Sequence, residues 1–137
     1  MATENFAHSL AMNGFNPDSS EIINLRIKMG LEGFGLFLEL VELLILNEKL
    51  PTDYKELSDF LGYKLKDYCN KHNLPYKNHY PKNKLKRVVE DFNFFEFDVN
   101  KEHFYLTSET KSLLHFGKVK SDYMKYRKTK NKVEVKS

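Results

Sequence analysis

Apolar positions recur at three- and four-residue steps along most of the chain, which predicts a largely helical domain. The clearest helix spans Leu31 to Asn47. There Phe34, Phe37, Leu38, Val41, Leu44 and Ile45 form one stripe, and Leu36, Leu40, Leu43 and Leu46 make the helix apolar nearly all round. Such a helix is either central in its domain or covered by a partner chain. Before it, Ile22, Ile23, Leu25, Ile27 and Met29 predict a helix that Gly30 ends or interrupts. Asn16-Pro17-Asp18 reads as a turn, with Ser19 or Ser20 as the N-cap. Met1 to Gly14 shows no clear period, so Phe6, Leu10, Met12 and Phe15 are expected to pack as an extended arm. Gly30, Gly33 and Gly35 permit a turn or a close backbone approach. They are no phosphate loop, because no strand precedes them and no Gly-Lys-Ser/Thr follows.

Leu50-Pro51-Thr52-Asp53 is a second helix start, and Glu56 three residues after Asp53 suits a capping box. Tyr54, Leu57, Phe60 and Leu61 form the stripe, and Gly62 is the expected C-cap. Leu65, Tyr68, Cys69 and His72 suggest a further short helix, and Asn73 to Lys82 a loop. From Lys84 to Phe92, Leu85, Val88, Val89 and Phe92 fall at i, i+3, i+4 and i+7, again helical. Phe94 to Val99 reads as a strand, Asn100-Lys101-Glu102 as a turn, and His103 to Thr107 as the returning strand. Thr107 or Ser108 caps a last helix that Gly117 closes. This order predicts a mainly α fold with a small β-hairpin, a winged helix-turn-helix. The helix before the hairpin would be the DNA-reading element and the hairpin the wing. Residues 1–117 are expected to form the domain with its N-terminal arm, and 118–137 a basic tail, partly helical or disordered.

At 137 residues, with 41% apolar and 30% charged, the chain is one domain in size. No run of about 18 uncharged apolar residues is present, which argues against a membrane span. Met1-Ala2-Thr3-Glu4-Asn5 lacks the basic start and apolar centre of a signal peptide. Cys69 is the sole cysteine, so intramolecular disulfides and thiolate metal clusters are excluded. These features predict a cytoplasmic protein.

The net charge of +3 is unevenly placed. Residues 1–63 carry −6, residues 64–87 carry +7, residues 88–117 carry −4 and residues 118–137 carry +6. Two basic blocks on an acidic body suit a polyanion, because Lys/Arg clusters bind phosphates and release counterions. They equally suit solvated faces and a basic tail.

No catalytic constellation emerges. The histidines His8, His72, His79, His103 and His115 are scattered, and none lies in an H-E-x-x-H or C-x-x-H context. Cys69 lacks a nucleophile motif and suits a small buried role. Glu39 and Glu42 share a helix surface, where a polar face explains them better than acid/base work. We therefore expect no enzyme, no cofactor and no metal. The remaining signal is the basic segment. With Leu85, Val88, Val89 and Phe92 inward, Lys84, Lys86 and Arg87 turn sideways or outward. Lys82 and Asn83 stand at the helix N-terminus, where backbone N–H groups favour a phosphate. Lys77, Lys82, Lys84, Lys86 and Arg87 form the expected contact surface, with Asn83 and Arg87 suited to base edges. Lys118, Lys120, Lys125, Arg127 and Lys128 of the tail would add phosphate contacts. The hairpin turn, with Asp98 and Glu102, is a poor phosphate contact. The alternative is a protein-interaction or self-assembly domain of the same shape that does not touch DNA.

Two stretches carry a resemblance. Phe15 to Asn47 holds a polar helix start, Gly30-Leu31-Glu32-Gly33-Phe34-Gly35 and the apolar helix. Val88 to Leu114 holds Val88-Val89-x-x-Phe92, the Phe95-centred strand and the return Tyr105-Leu106-Thr107-Ser108 into a helix. Together they resemble the N-terminal winged-helix domain of phage and mobile-element replisome-organiser proteins, related to the DnaD-type primosome proteins. The resemblance implies a winged-helix module that supports replication initiation by binding DNA and by self-association, and the expected nucleic-acid partner is double-stranded DNA. Its protein partner would be a second copy of the chain or another replication protein.

Overall fold

A computed structural model of the chain describes residues 4–125. In order come α1 (Glu4–Met12), α2 (Ser20–Leu46), β1 (Leu50–Pro51), α3 (Tyr54–Lys71), α4 (Lys82–Glu90), β2 (Phe95–Phe97), β3 (His103–Leu106) and α5 (Ser108–Leu114). Residues 116–125 are helical as well. The described chain is thus mainly helical, with a three-stranded antiparallel sheet in the order β1-β3-β2.

The spine is α2. Gly30 breaks it at φ 69°, ψ −169°, a conformation essentially restricted to glycine. One arm buries Ile22 and Leu25; the other buries Leu36, Phe37, Leu40, Val41, Leu44 and Ile45. Most of the all-round apolar helix is therefore covered by its own domain, while Leu31 and Leu46 stay exposed. Phe37 meets the rings of Phe94 and Phe95 at 4.5 and 6.1 Å, and this joins α2 to the sheet. Ser19 occupies the N-cap position of α2, but its hydroxyl makes no capping bond.

Leu50 and Pro51 do more than precede a helix. They pair with Phe104 and His103 of β3, while Phe95 and Phe97 of β2 pair with Leu106 and Phe104. Proline is tolerated there because β1 is an edge strand. Asp53 caps α3 by accepting the Glu56 amide at 3.1 Å. The helix then runs through Gly62 without a break, correcting the expected C-cap and the separate short helix. The loop after α3 folds back on it. Ser58 donates to the Tyr80 carbonyl, and a side chain at Gly62 would collide with the Tyr76 hydroxyl. Cys69 is half-buried rather than buried.

Thr107 caps α5, accepting the Thr110 amide at 3.1 Å. The helix ends at His115, which is left-handed (φ 52°, ψ 46°). Gly117 is not the stop: it lies inside the helical stretch 116–125, where Phe116, Val119 and Tyr123 are buried. That stretch meets α1. The Phe6 and Tyr123 rings pack edge to face at 6.3 Å, and Asn13 Nδ2 donates to Asp122 at 2.8 Å. The N-terminal segment is a helix rather than an extended arm. Phe6 and Leu10, four residues apart, share its buried face. No helix among the described residues is long and apolar enough to cross a membrane.

Candidate nucleic-acid interface

The face of α4 follows from its sequence period. Leu85, Val88 and Val89 are fully buried, and Phe92 just beyond is buried too. This turns Lys82, Asn83, Lys86 and Arg87 to solvent and leaves Lys84 half-buried. Both ends of the helix are anchored. Before it, the Tyr80 hydroxyl donates to Glu39 at 3.0 Å, and the Tyr80 amide donates to Asn78 Oδ1 at 2.9 Å. At its C-terminal end, the Tyr54 hydroxyl donates to Glu90 at 2.7 Å. Burial, reinforced by the neighbouring glutamates, pushes both phenols above their ordinary range. Both therefore remain neutral donors.

The start of α4 is strongly positive. No acidic residue lies in its first turn, and no side chain caps it at Pro81. A cation near a helix N-terminus adds to the positive end of the dipole, and an anion placed there relieves it. Lys82 and Lys86 have no ion pair among the described residues. Two other expected contacts are partly engaged. Lys84 Nζ lies 2.6 Å from Glu32 of α2, and Arg87 Nε lies 3.6 Å from Asp91. These pairs are exposed enough to open at little cost. Lys77 is exposed on the loop between α3 and α4.

The remaining expected residues lie elsewhere. Lys118, Lys120 and Lys125 are exposed on the 116–125 helix, which packs toward α1 through Tyr123. Arg127 and Lys128 lie outside the described residues. The hairpin turn is held by Asp98, which accepts the Glu102 amide at 2.9 Å and His103 Nδ1 at 3.0 Å. Slight burial opposes ionisation of Asp98, but the hydrogen bonds from His103 and Glu102 win and hold its carboxyl below the usual value. On the C-terminal side of α4 a cleft of about 670 Å³ carries Glu21, Asp91 and Glu109 around Phe92 and Phe94. Lys28 also lines this cleft, which stays net acidic and so is a poorer place for phosphate than the N-terminal half of α4.

Glu42 is not part of a solvated polar face: it is buried and accepts from the Tyr123 hydroxyl at 2.8 Å. Among the described residues no group of three or more His, Cys, Asp or Glu is placed to hold a metal. The chain matches no family model, no curated protein and no solved structure.

Proposed function

We propose that this chain is a DNA-binding winged-helix module that grips duplex DNA through the N-terminal half of α4. The run α2, β1, α3, α4, β2, β3 with sheet order β1-β3-β2 supports the winged-helix assignment, with α4 in the reading position. The observation that carries the reading is the start of α4. It has no acidic residue in its first turn and keeps Lys82 and Lys86 in solvent on a rigidly anchored helix. The acidic turn at Asp98 and Glu102 makes the hairpin a packing element rather than a phosphate contact. The assignment to replication of phage or mobile-element type rests on the resemblance of the two stretches above.

The test is a duplex titration by fluorescence anisotropy at low salt. The full chain should bind, and affinity should fall steeply as salt rises. Replacing Lys82 and Lys86 by Ala should weaken binding and flatten the salt slope by about one per lysine. Absence of duplex binding at low salt would overturn the reading.

A second reading, self-association, is favoured by one observation. Ile27 and Leu31 are 78% and 75% exposed on either side of the Gly30 kink, with Ile23 beside them. A strictly monomeric elution at high protein concentration would remove it.

A further inference from the structure

We propose that the outer half of α3, with the loop behind it, is a docking surface for single-stranded DNA, distinct from the duplex face of α4. The helix is 18 residues long, about 27 Å at 1.5 Å per residue. Its last buried residue is Gly62; from Tyr63 to Lys71 only Asp67 and Cys69 are half-buried and the rest are exposed. Large rings stand out here: Phe60 is 63% exposed, Tyr63 70% and Tyr68 56%. Isolated exposed apolar residues are ordinary, but Phe60 has Tyr63 as its i+3 neighbour and Tyr68 follows at i+8, a grouping of rings that marks a contact site.

The neighbours of these rings identify the occupant. Lys64 lies between Phe60 and Tyr68 in the i, i+4, i+8 row, and Lys71 stands on the same face. Residues 63–79 hold four lysines against one acid. That acid, Asp67, is tied to Lys71 at 3.0 Å. Protein interfaces are depleted in lysine at their cores, whereas aromatic rings alternating with cations are what an unpaired strand requires. Bases stack on the rings while the backbone phosphates meet the lysines. Tyr68 and His72 are already paired, with ring centres 4.2 Å apart. A duplex keeps its base faces hidden in the stack, so the rings add nothing to duplex binding. The loop returns beside Gly62 and Ser58 and brings Lys77 back toward the start of α4. Both surfaces fall in one basic segment, residues 64–87, which favours DNA as the ligand of both.

The two readings share Lys77, but the residues substituted in the test differ, so the two proposals fail separately. The experiment measures the full chain against a labelled 20-nucleotide oligo-dT and a 20-base-pair duplex. Replacing Phe60, Tyr63 and Tyr68 together by Ala should weaken oligo-dT binding about tenfold or more, consistent with the loss of one or two stacked bases. Duplex binding should stay within about twofold. Lys82→Ala with Lys86→Ala should chiefly weaken the duplex. Tyr63→Trp with Tyr68→Trp should retain oligo-dT binding. Should the triple variant unfold, Tyr63→Ala alone carries the test, with a loss of about fivefold or more expected. Failure of the wild-type chain to bind oligo-dT, or unchanged binding by the folded aromatic variants, would overturn the proposal. Equal loss of both ligands would also overturn it, since that means one shared site.

Discussion

Gly30 and Gly35 stand five residues apart in one glycine-rich stretch, and their structural roles are opposite. Gly30 adopts φ 69° with ψ −169°, whereas Gly35 is ordinary helix with open space where a side chain would go. Gly30→Ala should therefore cost about 1–3 kcal/mol of stability. Gly35→Ala should gain about 0.5–1 kcal/mol through helix propensity. Urea denaturation of the two variants checks both signs. The sequence singles out Gly30 as the point where the first helix ends or is interrupted, and the kink falls there; it does not separate Gly33 from Gly35, because close approach depends on tertiary neighbours. Asp98 gives a second residue-scale expectation. Its folded-state pKa is depressed, so its stabilisation of the hairpin is fully present above the ordinary carboxylate pKa. It is lost as pH falls through the folded-state value. Asp98→Asn should flatten the acid limb of the stability–pH curve, measured by thermal melts between pH 2 and 6.

The elements that could be read from sequence are those whose partners are nearby or whose period is strong. The α4 stripe is the best case. Leu85, Val88 and Val89 sit at i, i+3 and i+4, and burying them fixes where Lys82, Lys86 and Arg87 point. The Arg87–Asp91 pair was equally readable, as an i, i+4 spacing. The Lys84–Glu32 pair was not, because 52 residues separate its partners. Strand β1 is two residues long, and its partner His103–Phe104 lies across the whole of α3 and α4. No local signal marks it. Likewise α3 continues through Gly62 because the returning loop covers that position, which local propensity does not register. At this scale Leu85→Ala should cost about 2–5 kcal/mol. Lys86→Ala should stay within about 0.5 kcal/mol of wild type. Chemical denaturation distinguishes a packed stripe from a solvent face, and equal losses would refute the assignment.

Across the whole molecule, the two ends of the described chain close on each other. Val119 and Tyr123 are core residues, so a chain ended after Gly117 loses part of its interior. It should unfold with much reduced cooperativity in calorimetry, and DNA binding by such a truncation would report misfolding as much as charge. Tyr123→Phe is the milder probe. It removes the hydroxyl that donates to buried Glu42 at 2.8 Å and should cost about 1–3 kcal/mol. None of this closure was legible locally, since Phe6 and Tyr123 meet only once the intervening chain is folded. The same closure has a consequence for biosynthesis. Contacts spanning 109 residues, such as Asn13 with Asp122, are slow to form because the loop between them must close first. A nascent polypeptide leaving the ribosome must release nearly all of the described sequence before its leading helix finds the surface that holds it. Until then Phe6 and Leu10 are open to a chaperone.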